Sequence, residues 1–332
     1  MTESIYFYPS EPKNGYSNPY CYNFKSILKK SFIVLDDEKK VCLMQGISLL
    51  KYSLKADIIF LNWLESIGYL KLGIVQFLLA IISIIIIKCR RKRIIWIYHN
   101  ITPHQGNNRK SKMILYLLYK HSDLIITHSK EALNHILIKR TNNVFYKCHP
   151  VTEYPTIGSK NSTYNFFYDI VIWGSILPYK GIKEFISLRE IQNSSYRIYI
   201  LGKCYDEKLS NEIKSYCNNK IIFENRKANF EELNNIFKKT KYVLFPYIGN
   251  SISSSGAIID TLALGGIPVA PHKGAFKDLK ENNVCITYRT YDELLNILKS
   301  DIGLDENSIE LFIKNNTWDS FGKFITNKIN SL

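Results

Sequence analysis

Short runs of consecutive apolar residues, separated by stretches with helical spacing, recur along the whole chain. In the first half, Ile5–Tyr8, Phe32–Leu35, Asp57–Leu61, Ile94–Tyr98 and Asp123–Thr127 read as strands. A helix runs to about Lys30, an apolar helix covers 70–88, and another covers about 110–121. Strands this continuously apolar, alternating with helices, imply a parallel sheet covered on both faces. The pattern breaks at His149-Pro150, and a polar, turn-rich stretch follows from Pro155 to Asn165. It then resumes with strands at Asp169–Trp173, Arg197–Leu201, Lys220–Phe223, Tyr242–Phe245 and Ile267–Ala270, and the tail from Trp318 to about Ile329 is helical. The expected organisation is a first domain of 1–152 and a second domain of 165–316, followed by the helical tail at 317–332. Two doubly wound sheets in tandem place ligands outside the strand C-termini, with a cleft between the domains as the natural active site.

One segment interrupts this picture. Gly73–Ile87 is apolar except for Gln76 and Ser83, and Cys89-Arg90-Arg91-Lys92-Arg93 follows. The run is shorter than the roughly 20 residues a spanning helix needs. It reads as a helix of a soluble domain, with an interfacial or inserted element as the alternative; beside a basic cluster, an exposed apolar stripe suits anionic lipid.

Charge supports an anionic partner. The 332 residues carry 44 Lys and Arg against 29 Asp and Glu, a net charge of +15. Nucleic acid is the competing partner, but no helix-turn-helix, zinc finger or RNP-like aromatic motif is present. The seven cysteines form no CxxC pair, so neither a zinc site nor a disulfide framework is expected. The chain opens directly on a strand-like Ile5–Tyr8 with no signal peptide, and with free thiols this points to the cytoplasm.

Two stretches carry chemistry. Ser253-Ser254-Ser255-Gly256 opens an apolar helix that bears Asp260 and ends at Gly265-Gly266. A small turn at a helix N-terminus offers backbone N–H groups to an anion, and the acid one turn on accepts from hydroxyls. Together they provide a phosphate cradle and a ribose partner. The second stretch, Gly174-Ser175-Ile176-Leu177-Pro178-Tyr179-Lys180-Gly181, leaves the first strand of the second half. Lys180 there is placed to meet a diphosphate.

These two stretches resemble the donor-binding domain of GT-B glycosyltransferases of the family 4 type, bacterial enzymes of capsule, O-antigen and exopolysaccharide synthesis. In the first half, Ala56–Trp63 resembles their aspartate-led strand ending in tryptophan, and His99-Asn100-Ile101-Thr102-Pro103-His104 resembles their His-Asn-x-x-Pro-His element. The resemblance spans about 56–273. It implies an α/β GT-B fold of two Rossmann-like domains facing across a cleft, with the terminal helix crossing back to the first. It further implies a glycosyltransferase moving a sugar from a UDP- or GDP-sugar to a lipid-linked or oligosaccharide acceptor, peripheral at the inner membrane face, with no metal and no nucleic acid.

Catalysis is expected from His99 and Lys180. Donor contacts are expected from Gly15, Gly174, Ser175, Lys180, Arg226, Tyr247, Ser254, Ser255, Gly256 and Asp260, and acceptor contacts from Trp63 and His104. His128 is secondary, and Ser129 reads as a helix N-cap. The pattern departs from the family at two points. Many members carry glutamates eight positions apart where this chain has Ile252 and Asp260, and the usual arginine of the Gly174 loop is absent. Retention or inversion is therefore open. A same-fold epimerase or hydrolase, or a non-enzymatic basic protein binding membrane or nucleic acid, is the alternative.

Overall fold

A computed structural model describes residues 2–10, 18–35, 44–99, 101, 108–152, 154, 166–249 and 255–332. The chain divides into two compact units: Met1–Cys148 with Trp318–Leu332, and His149–Thr317.

Unit 1 contains strands β1 (Ser4–Tyr8), β2 (Ile33–Val34), β3 (Ile58–Asn62), β4 (Arg93–Tyr98), β5 (Leu124–Thr127) and β6 (Val144–Tyr146). Its helices are α1 (Pro19–Leu28), α2 (Gln45–Ser53), α3 (Gly73–Cys89), α4 (Arg109–His121) and α5 (Lys130–Leu137). The sheet order is β2-β1-β3-β4-β5-β6, and every pairing is parallel. Side chains alternate between the faces, as a two-residue period requires. Ile5, Phe7, Ile58 and Phe60 enter one core with α1, while Tyr6, Tyr8, Ile59 and Leu61 enter the other with α2 and α3.

Unit 2 contains β7 (Tyr168–Trp173), β8 (Ile198–Leu201), β9 (Ile221–Glu224), β10 (Thr240–Leu244), β11 (Pro268–Pro271) and β12 (Ile286–Tyr288). Between and after them run α6 (Ile182–Ile186), α7 (Arg189–Gln192), α8 (Glu207–Ser215), α9 (Phe230–Phe237), α10 (Gly256–Ala263), α11 (Ala275–Glu281), α12 (Tyr291–Lys299) and α13 (Glu306–Asn315). The order is β12-β11-β10-β7-β8-β9, again all parallel. The last helix, α14 (Trp318–Asn330), belongs to unit 1 and packs on α1. Its Gly322 permits this approach, because a Cβ there would lie 2.6 Å from Ile27 Cγ1.

The structure amends several elements. The second strand shortens to Ile33–Val34, and β6 and β12, three residues each, were not read from the pattern. The apolar helix begins at Gly73 rather than 70, because Leu64–Tyr69 forms a 3-10 turn and Leu72 is left-handed at φ 56°.

The polar residues of α3 point inward. Gln76 and Ser83 are fully buried, and Gln76 accepts from Gly46 N at 3.0 Å and donates to Lys71 O at 2.7 Å. The opposite face, with Ile74, Val75, Leu78, Ile82 and Ile85, is exposed. No described helix is long and apolar enough to cross a membrane.

The α1–α14 packing is testable at Phe321, which is fully buried with its ring 5.0 Å from that of Phe24. Phe321→Ala should cost about 3–5 kcal/mol by removing a large core side chain. Chemical denaturation measures this; an unchanged midpoint would mean that α14 adds nothing to unit 1.

Candidate active site

In unit 2 the chain lays β8 and β9 on one side of β7 and then returns to lay β10 to β12 on the other. The β7/β10 junction is thus the topological switch point, where open α/β sheets bind ligands beyond the strand C-termini. The segments following these two strands carry most of the expected donor residues.

After β7, Gly174 takes φ 98°, which glycine adopts without strain. The chain then forms a 3-10 turn over Pro178–Lys180 and continues through Gly181. A Cβ on Gly181 would stand 2.2 Å from the Pro246 carbonyl oxygen. Only glycine therefore lets this turn sit against the segment after β10, where Ile248 N donates to Tyr179 O at 3.0 Å. The outcome is the placement of Lys180, which is 7% exposed. Its Nζ lies 5.4 Å from the Tyr247 ring centre and 3.5 Å from where a Gly174 Cβ would be. No carboxylate among the described residues lies within ion-pair distance of it, and burial pushes its pKa down.

Tyr247 is itself buried, edge-on to Tyr179 and Phe276, with its hydroxyl 3.3 Å from Ser255 Oγ. Ser255 occupies the N-cap of α10, yet its side chain makes no capping bond. The first N–H groups of α10 are thus left without the usual side-chain acceptor. Trp173 at the end of β7 fixes the helix, its Nε1 donating to Thr261 Oγ1 at 2.8 Å. One turn into α10, Asp260 accepts from the Tyr154 hydroxyl at 3.3 Å. Burial pushes its carboxyl up to about 7.

Gly174, Lys180, Tyr247, Ser255, Gly256 and Asp260 therefore form one group. Ser175 is exposed on the same loop. Arg226 does not join them: its guanidinium is held by Glu224 at 2.6 Å and Glu232 at 2.5 Å beyond the edge strand β9. Tyr247 backs Lys180. Two residues were not foreseen. Tyr154 is the partner of Asp260, and His149 places Nε2 3.8 Å from the position of a Gly256 Cβ. Both come from the segment joining the two halves, where no periodicity marks them.

Unit 1 assembles a second group at the ends of β3 and β4. Asn62 Nδ2 donates to Tyr8 O at 2.9 Å, which leaves its Oδ1 to accept from His99 Nε2 at 3.0 Å. The network thereby assigns His99 the Nε2–H tautomer. Trp63, left-handed at φ 52°, stacks on His99 with ring centres 4.2 Å apart. Tyr20 stands edge-on to both and donates to His128 Nε2 at 2.7 Å. His128 in turn donates from Nδ1 to Lys147 O at 2.8 Å, and burial pushes its pKa down to about 4, so it stays neutral. Ser129 caps α5, accepting from Ala132 N at 3.0 Å. Gly15, His104 and Ser254 lie outside the described residues.

No known protein-family profile matches the chain, and no curated protein sequence does. Solved structures do match. HepE of Anabaena, in complex with UDP and glucose, aligns over 99% of this chain and 100% of its own, at a TM-score of 0.66 and 14% identity. The lipopolysaccharide outer core galactosyltransferase WaaB in apo form aligns over 100% and 99%, at a TM-score of 0.67 and 12% identity. The fold is GT-B. AviGT4, a glycosyltransferase involved in avilamycin A biosynthesis, shares the GT-B fold with this chain over 99% and 97%, at a TM-score of 0.60 and 10% identity.

Asp260 gives a pH test. Its folded pKa of about 7 lies above the ordinary 3.8, so the folded state holds this proton more tightly than the unfolded chain does. Stability should fall as pH rises through that window and level off above it. Glu65, buried and also raised to about 7, acts in the same direction. Asp260→Asn should therefore flatten the decline in melting temperature between about pH 4.5 and 8 without abolishing it; an identical decline would show that the Asp260 carboxyl is not perturbed.

Proposed function

We propose that this protein is a glycosyltransferase of the family 4 type, using a nucleotide-diphosphate sugar held by unit 2 and a lipid-linked or oligosaccharide acceptor held by unit 1. Bacterial surface polysaccharide synthesis is the setting that this pairing fits. The observation that carries the reading is Lys180, a buried ammonium with no acidic partner among the described residues, beside an α10 N-terminus without a side-chain cap. Burying an unpaired charge is costly unless an anion completes the site. A diphosphate answers both features, and HepE's complex with UDP and glucose supports UDP as its carrier.

In this reading the bond from the sugar's anomeric carbon to the diphosphate oxygen breaks, and the acceptor hydroxyl forms the new glycosidic bond. Negative charge builds on the departing diphosphate. Lys180 and the first amides of α10 stabilise it there, in place before the charge develops. Asp260 accepts from ribose hydroxyls in its ionised form. His99 meets the transferred sugar or takes the acceptor proton, its tautomer set by Asn62. Trp63 offers an aromatic face to the acceptor.

Thermal shift with UDP- and GDP-sugars tests the donor site, because a ligand bound only by the folded state raises its stability. Lys180→Met should lose that shift and lower turnover about ten- to a hundredfold. Its stability without nucleotide should match or exceed the wild type, since the methionine carries no charge to desolvate. Loss of stability with the nucleotide shift intact would refute the role given to Lys180.

The outer face of α3 suggests where the enzyme works. Its exposed Ile74, Leu78, Ile82 and Ile85 lie beside exposed Arg90 and Arg91, a surface suited to an anionic leaflet. Arg93 is not part of this surface, because its guanidinium donates to Glu3 and to Ile329 O. Arg90→Gln with Arg91→Gln should weaken binding to anionic vesicles, most visibly at low salt, and leave the nucleotide shift unchanged. Equal vesicle binding by both proteins would remove these arginines from the account.

A further inference from the structure

At the opposite edge of the unit 1 sheet, where β4 and β5 begin, lies a cavity of 560 Å³. Lys88 enters it from the end of α3, Lys120 and His121 from the end of α4, and Lys139 and Arg140 from the segment after α5. Asp123 is the one carboxylate among the lining residues, and it is already engaged. Both its oxygens accept from Lys88 Nζ at 2.9 Å, and Oδ2 also accepts from Ile94 N at 2.8 Å. Three cations remain that no lining carboxylate answers.

One of those cations is fixed in place, and a second rests over an aromatic ring. Arg140 donates from Nη1 to the carbonyls of Tyr119 and Ser122 and from Nε to Asn142 O at 3.0 Å, so its direct partners are carbonyls, with Asp123 acting on it without an ion-pair contact. Lys139 Nζ sits 4.6 Å over the Tyr119 ring. The His121 pKa falls through burial and through the charges of Lys120 and Lys88, against the opposing charge of Asp123. Ser122 lines the same cavity, and its hydroxyl is buried with no hydrogen-bond partner among the described residues. A buried hydroxyl without a partner carries a desolvation cost that a bound acceptor would relieve.

We propose that this cavity binds a phosphate-bearing anion through Lys120, Lys139, Arg140 and Ser122, at a site separate from the donor site of unit 2. A phosphoryl group brings up to two negative charges and several acceptor oxygens, which suits two mobile ammoniums, one fixed guanidinium and a hydroxyl. The volume exceeds the needs of an inorganic ion and falls in the range of small-molecule pockets. The ligand is thus a phosphomonoester with an organic part, and its two sources are a soluble metabolite and the phosphate headgroup of an anionic lipid.

The test compares the wild type with Lys120→Ala combined with Lys139→Ala. Both lysines stand at the rim, and an unchanged UDP response and far-UV spectrum verify the fold. Calorimetric titration with inorganic phosphate and with glycerol 3-phosphate should show about tenfold weaker binding by the double variant. Ser122→Ala should weaken it several-fold. Phosphate taken up at Lys180, or vesicle contact through α3, is common to both proteins and cancels in the comparison. Equal affinities for the soluble phosphates and equal binding to vesicles of phosphatidylcholine with phosphatidic acid would overturn the site. A tenfold loss on those vesicles, absent on phosphatidylcholine alone, assigns the lipid headgroup. A loss confined to glycerol 3-phosphate and inorganic phosphate assigns the soluble ligand.

Discussion

A lysine ammonium held out of water, with no carboxylate beside it among the described residues, is the constraint on which unit 2 depends. Such a charge stays in place only if the surrounding backbone gives it no alternative. Gly181 supplies that condition, since any side chain there would collide with the Pro246 carbonyl and push the Pro178–Lys180 turn off β10. Tyr247, packed against Phe276 and Tyr179, presents its ring to the ammonium from behind. The Trp173–Thr261 hydrogen bond then sets the start of α10 relative to β7. Three local devices, on three segments, converge on one positive centre at the sheet's switch point, where the fold itself leaves room for a ligand.

Unit 1 uses the equivalent strand ends differently. Its group is built on aromatic rings rather than on a lysine. His128 is kept neutral by burial, against the Lys147 carbonyl that favours its charged form, and its two ring nitrogens make it a fixed strut between Tyr20 and Lys147. His99 meets the Asn62 amide, whose own direction is set by the Tyr8 carbonyl. The two histidines close successive strands, β4 and β5, yet their surroundings give them unlike roles. That contrast follows from which ring nitrogen each carbonyl or amide claims.

The strands of both sheets were legible because parallel strands buried on both faces are continuously apolar, as in Ile94–Tyr98 and Asp169–Trp173. The edge strands β6 and β12 were not, because three residues are too few to separate from a loop. The placement of Gly174 and Lys180 on one loop after β7 was legible because it is set within a single turn. Tyr154 and His149 were not, since each acts across the fold on a helix more than 100 positions away in the chain. Arg226 was expected at the donor, and the ion pairs of its guanidinium with Glu224, two residues before, and Glu232, six residues after, were not read from the sequence.

The helix α3 shows how a sequence signal can be read with its faces inverted. Polar residues in an apolar helix ordinarily mark the solvent side. Here Gln76 satisfies a backbone N–H of α2, and Ser83 donates to Leu79 O within its own helix, so both are buried without a polar debt. Small residues then complete the seam: a Cβ on Gly46 would sit 3.1 Å from Gln76 Cα. Ile84 and Ile87 are buried with them, while Ile74, Val75, Leu78, Ile82 and Ile85 are left outside. The outward apolar stripe of α3 is therefore a consequence of how tightly α2 and α3 pack, and any membrane role draws on a surface that the packing had already placed there.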